Sequence, residues 1–249
     1  MSAGNQIREV WIMGAFDPEI ELLKSRMDGS RIRLDGQSRA TESTVRVFSI
    51  GVGGTTAVLT LAKRCFEFGF PEEIVLIGSA GIYPNSTDVP SLQRPLIAGP
   101  QYFTQIDLAV QLGRASIPDI MCNSITVRPG IFSSQMIRNV SGRKDCVFLL
   151  ETTTYAGPVC NSTNSITGDS IPVDLNVPRF QNRLVMENLE AYAVAAFCEK
   201  FSIPMGCFLA ITNTVGPQGS TEWKRNHVEL GIFLQQLIID GWKDLPEQF

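Results

Sequence analysis

Short apolar runs, several of them closed by glycine and a small polar residue, alternate with amphipathic stretches along the chain, and this alternation constrains the fold most. Ile74 to Ile77 is the clearest run: four consecutive apolar residues suit a strand buried on both faces, and Gly78-Ser79-Ala80-Gly81 follows as its end. Val10 to Ala15 reads as an opening strand, and Val45 to Ile50 as another that ends in Gly51-Val52-Gly53-Gly54. Met205 to Thr212 is a further buried strand before the turn Asn213-Thr214-Val215-Gly216-Pro217. More strands are expected at Pro95 to Ala98, Ile125 to Val127, Cys146 to Leu150 and Cys160 to Thr167. Helices are predicted over Asp17 to Met27, with Asp17 as N-cap and Pro18 opening the first turn, and over Thr55 to Phe68, closed by Gly69 and Pro71. Two more are predicted over Gln181 to Phe201 and Thr221 to Trp242. Such alternation implies a mostly parallel sheet covered by helices on both faces, with ligands at the carboxyl ends of the strands. No repeat or linker interrupts it, so residues 1–249 are expected to form one domain.

Composition narrows the chemistry. The net charge is −4 and no Lys/Arg-rich run stands out, which argues against a nucleic-acid partner. No apolar run approaches the roughly 20 residues of a membrane helix, and the N-terminal segment lacks the pattern of a secretory signal, so a cytoplasmic protein without membrane contact is expected. Six cysteines without a C-x-x-C pair suit reduced core thiols. The single histidine, His227, rules out a metal site of several histidines and reads as a surface helix residue. Catalysis must rest on carboxylates, amides or hydroxyls, and no metal or cofactor is expected. Gly51-x-Gly53-Gly54 lacks the third glycine of a dinucleotide loop, because Thr56 stands there, and reads as a tight turn with close strand–helix packing.

Two acids are informative. Glu19 follows the first strand in Gly14-Ala15-Phe16-Asp17-Pro18-Glu19. Glu190 sits in Glu187-Asn188-Leu189-Glu190-Ala191, inside the predicted third helix and beside its most buried part. Together with Ser49-Ile-Gly-Val-Gly, Ile77-Gly-Ser-Ala-Gly and Ala210-Ile-Thr-Asn, these segments fall in an order and spacing that resembles the purine nucleoside phosphorylase/nucleosidase superfamily. Within it the chain is most similar to the methylthioadenosine/S-adenosylhomocysteine nucleosidase and futalosine hydrolase branch, over roughly residues 8–240.

The resemblance implies a three-layer α/β/α fold with a mixed, mostly parallel sheet, and cleavage of the N-glycosidic bond of a purine nucleoside. Phosphorylases of the superfamily carry an arginine in the loop after the first strand; here Glu19 stands in that loop, and an acid would repel phosphate but could activate water. It implies Glu19, Glu190 and Asn213 as catalytic residues: Glu19 as general base, Glu190 on the ribose hydroxyls, Asn213 on the base edge. Phe16, Ser79, Ala80, Gly81, Thr167, Glu187, Leu189 and Thr212 are expected to bind substrate. An amide at 213 suits the N7 and O6 acceptors of a 6-oxopurine, whereas adenine-cleaving relatives carry Asp there. Glu187-Asn188-Leu189-Glu190 also resembles the corresponding segment of futalosine hydrolases. These features favour futalosine, hence hypoxanthine release and menaquinone biosynthesis by the futalosine route. A methylthioadenosine/S-adenosylhomocysteine nucleosidase stays open as an alternative. So does an inactive nucleoside-binding protein, since Leu209 replaces an arginine common in the family. The branch also implies a homodimer.

Overall fold

A computed structural model describes residues 8–35, 40–84, 94–106, 114, 124–151, 157–168 and 183–243. One sheet runs through them. Strand β1 (Arg8–Gly14) lies parallel to β3 (Ala40–Ser49) on one side and to β4 (Glu73–Ile82) on the other. Strand β11 (Met205–Thr214) pairs in parallel along the other edge of β4. The sheet then extends in two directions. From β11 it continues through β5 (Leu96–Ala98) to β8 (Val147–Leu149). From the end of β4 it continues through β10 (Val185–Glu187), β9 (Val159–Asn161), β6 (Tyr102–Thr104) and β7 (Ser124–Thr126). Six of the described pairings are parallel and four antiparallel.

Helices cover both faces. Alternate residues of β4 and β11 point to opposite sides, so each strand feeds two cores. Ile74, Leu76, Cys207 and Leu209 pack with α2 (Gly54–Phe68) and α4 (Ala191–Phe201). Val75, Ile77, Phe208 and Ala210 pack with α1 (Glu21–Met27), α3 (Ile131–Val140) and α5 (Gly219–Lys243). The expected three-layer α/β/α architecture with a mixed, mostly parallel sheet is present. Five of the six cysteines are described, and all five are free and buried; Cys122 lies outside the described residues. Among the described residues no helix is long and apolar enough to cross a membrane.

Several local expectations differ from the structure. The predicted helix over Gln181 to Phe201 is two elements. Val185–Glu187 is a strand, wholly buried because it fills the gap between β4 and β9, and the helix starts only at Ala191. Glu190 therefore stands at the helix N-cap, not inside the helix. The strand of Ile74 to Ile77 does not end at Gly78 to Gly81 as expected: β4 runs on to Ile82 because β11 pairs with it throughout. Asp17–Glu19 forms a single 3₁₀ turn before α1, capped by Phe16 without a side-chain bond, so the expected Asp17 cap is absent. The strand expected over Cys160 to Thr167 ends at Asn161, whose side chain bonds the main-chain N–H and C=O of Ile106. Strand β2 (Arg31–Asp35), which forms an antiparallel pair with β3, was not expected, nor were β6 and α3.

Candidate active site

The site forms where the sheet branches. Strand β1 pairs with β4 only as far as Leu76, and β10 takes up the same edge only at Gly81. Between them the edge of β4 lacks a neighbouring strand, and the main-chain groups of Ser79 need other partners. Side chains supply them. The Ser79 N–H donates to Glu19 Oε1 at 3.2 Å, and the Ser79 carbonyl accepts from Asn188 Nδ2 at 3.0 Å. A cavity of about 430 Å³ opens at this gap.

Glu19 reaches the gap because the chain turns sharply after β1. Its Oε2 accepts the Ala15 N–H at 2.9 Å, and its Oε1 also accepts the Ser79 hydroxyl at 3.2 Å. Gly78 leaves room for it: a Cβ there would lie 3.3 Å from Oε1. The turn carrying Glu19 is pinned from α5. Gln235 Oε1 accepts the N–H groups of Leu22 and Leu23 at 2.9 and 3.2 Å, and its Nε2 donates to the Pro18 carbonyl at 3.1 Å. Burial raises the Glu19 carboxyl to about 7; the charge of Glu190 adds to this, and the N–H groups of Ala15 and Ser79 and the Ser79 hydroxyl oppose it.

Glu190 enters from the other side of the sequence. Its Oε1 accepts the Gly53 N–H at 2.8 Å, at the N-terminus of α2, where main-chain donors favour an anion. Gly53 takes φ +87, a left-handed value that suits glycine, and Gly54 packs so closely on α4 that a Cβ would lie 3.0 Å from that of Ala193. The glycine turn thus serves close packing, here helix on helix. Asn188 Oδ1 accepts the N–H groups of Glu190 and Ala191 at 3.0 and 2.8 Å and so caps α4. Glu190 is only 4% exposed, and burial raises its carboxyl above the usual range.

Of the eleven residues predicted for the site, nine line the cavity: Phe16, Glu19, Ser79, Ala80, Gly81, Glu187, Leu189, Glu190 and Asn213. Two do not. Thr167 stands behind Glu187, donating its N–H to Oε1 at 3.0 Å and its hydroxyl to Oε2 at 2.6 Å. Thr212 is buried in β11, and its hydroxyl lies 3.3 Å from the Ala80 carbonyl and 2.9 Å from Asn213 Oδ1. Each positions a side chain that does line the cavity. Asn213 sits at a bulge in β11, and Gly81 makes space for it: a Cβ at 81 would lie 2.6 Å from its Nδ2.

Sequence reasoning missed Val52, Ile166, Asn188 and Trp223, all in the lining. The Trp223 indole N–H donates to Ser79 Oγ at 3.0 Å, which in turn meets Glu19. His227 stacks on Trp223 with ring centroids 4.0 Å apart and is partly buried, so it is more than the surface residue expected. Leu209 is fully buried against the α2 and α4 layer. Among the described lining residues there is no Lys or Arg, while three carboxylates are present. No group of three or more described His, Cys, Asp and Glu side chains is arranged to hold a metal.

No protein-family model and no curated protein matches the chain. Solved structures do match in shape. The 5′-methylthioadenosine/S-adenosyl homocysteine nucleosidase of Helicobacter pylori superposes with a TM-score of 0.68 at 14% identity, over 97% of this chain and 100% of that one. The S-adenosylhomocysteine nucleosidase of Streptococcus pyogenes, in complex with 5-methylthiotubericidin, gives 0.68 at 16%, over 99% and 100%. A futalosine hydrolase mutant of Helicobacter pylori gives 0.66 at 14%, over 94% and 99%. The chain has the fold of these nucleosidases.

Proposed function

We propose that the chain hydrolyses the N-glycosidic bond of a purine nucleoside. The observation that carries this reading is the convergence of Glu19 and Glu190, 171 positions apart in sequence, on one cavity that also holds Asn213. Glycosidic cleavage builds positive charge on the ribose, and a buried carboxylate stabilises charge of that sign. In the proposed mechanism Glu190 accepts hydrogen bonds from the ribose 2′- and 3′-hydroxyls. The C1′–N9 bond breaks with its electron pair leaving on the purine, whose N7 takes a proton from solvent. Water adds at C1′ and its proton passes to Glu19. Asn213 Oδ1, turned by the Thr212 hydroxyl, accepts the N–H at N7 of the departing base. Phe16, Leu189 and Trp223 pack on sugar and base. Three carboxylates and no lining cation suit neutral water better than phosphate as nucleophile.

The preferred substrate is futalosine or a similar 6-oxopurine nucleoside, because the Asn213 amide can both accept and donate along a base edge with N7 and O6 acceptors. The second reading, adenine release from methylthioadenosine or S-adenosylhomocysteine, is favoured by the names of two of the neighbours above. A substrate panel separates the two. Futalosine, inosine and methylthioadenosine are each incubated with the protein, and free hypoxanthine or adenine is followed by absorbance. Hypoxanthine release is expected, and Asn213→Asp should move the preference toward the 6-aminopurine by about tenfold or more. Adenine release alone by the unaltered chain would establish the second reading instead.

A further inference from the structure

A second cavity, of about 450 Å³, lies between the turn before α1, α1 itself and α5. It shares Phe16, Glu19 and Ser79 with the first, so these three residues form a common wall. Gly78, Gly231 and Gln235 face only the second cavity, and Glu190 and Asn213 only the first. Its outer rim carries Val228 and Ile232, which are 56% and 52% exposed. Gly231 stands in the interior of the 25-residue helix α5, where glycine weakens a helix. Glycine is usually placed there for close approach, yet a Cβ at 231 would meet nothing within 4 Å. What the missing side chain does leave is open space in this cavity.

We propose that the second cavity is the route by which the water nucleophile reaches Glu19 once a nucleoside fills the first, and that Gly231 keeps it open. This rests on the reading of the chain as a nucleosidase. A nucleoside in the first cavity closes the approach past Glu190 and Asn213, whereas the Glu19 carboxylate can still be reached through the wall it shares. Apolar walls suit passage, since they offer few groups to hold a water on its way.

The test uses Gly231→Phe, with Gly231→Leu as a smaller plug and strong helix former and Gly231→Ala as a control. The wild type and variants turn over the best nucleoside of the panel in aqueous methanol. Methanol can replace water: the C1′–N9 electron pair leaves with the purine, the methanol oxygen bonds C1′, its proton goes to Glu19, and a methyl glycoside forms in place of the free sugar. Both plugged variants should lose about fivefold or more in kcat with KM nearly unchanged, the pattern of a block after substrate binding. Their ratio of methyl glycoside to free sugar should also fall about threefold, because a narrowed route excludes the larger nucleophile more. Gly231→Ala should behave as wild type. An unchanged product ratio in both plugged variants overturns the route, whether or not kcat falls, since a purely structural effect slows both nucleophiles alike. If the wild type releases no base from any nucleoside, the nucleosidase reading fails, and the route with it.

Discussion

Glu19 must lose its proton to act as a base, and its surroundings resist that loss. Burial first, then the charge of Glu190, raise its carboxyl from the usual 4.5 to about 7. The acid limb of kcat/KM against pH should therefore have its midpoint near 7, with activity falling as pH drops below it. Glu19→Gln should lower kcat by about 10²–10⁴ while a nucleoside analogue still binds, as measured by calorimetry. The same shift has a stability consequence. A carboxyl raised in the folded state favours protonation there, so the ionised form destabilises the fold. That cost is absent below the unfolded value of 4.5 and complete above about 7. Glu19→Gln should thus be about 1–2 kcal/mol more stable relative to wild type at pH 8 than at pH 4.5, since solvent at the partly exposed side chain screens part of the effect. Urea titrations at the two pH values check the sign.

The Asn188 side chain joins two elements, through the carbonyl of Ser79 in β4 and the N–H groups that open α4, while Glu190 at the start of α4 bonds the N-terminus of α2. Asn188→Ala removes a helix cap and leaves the Ser79 carbonyl without its partner. We expect a loss of about 2 kcal/mol in urea titration, together with lower turnover as Glu190 loses its anchor. The importance of this residue was not legible in the sequence, where positions 181–201 read as one helix. Apolar residues at 184–186 fit either period, and only the pairing of β10 between β4 and β9 decides for a strand. Gly78 to Gly81 misled in the opposite way. Small residues suggested the end of the strand, yet they belong to a strand that must admit the side chains of Glu19 and Asn213. In β1 and the first half of β4, where every side chain from Val10 to Met13 and from Ile74 to Ile77 is buried, the apolar run is explicit and the strands were legible.

At the scale of the molecule, alternating elements announced an α/β sheet between two helical layers, because both faces of its central strands must be apolar. The order of the strands was beyond such reasoning, and so was the branch at β4, since both depend on contacts between segments far apart. The branch is nonetheless what makes the site: it leaves a strand edge for Glu19 and Asn188 to complete, and sets Glu190 across the same cavity. Residue types were readable, and nine of eleven predicted side chains meet there, while Thr167 and Thr212 hold them from behind. The proposed reaction therefore depends on two acids sharing one nucleoside and using water. Its most direct test is base release from futalosine in phosphate-free buffer, compared with buffered phosphate, for wild type, Glu19→Gln and Glu190→Gln. The prediction is release of free hypoxanthine at the same rate with and without phosphate, and a loss of about 10²-fold or more in each variant. Release that requires phosphate, or that survives both substitutions, would contradict it.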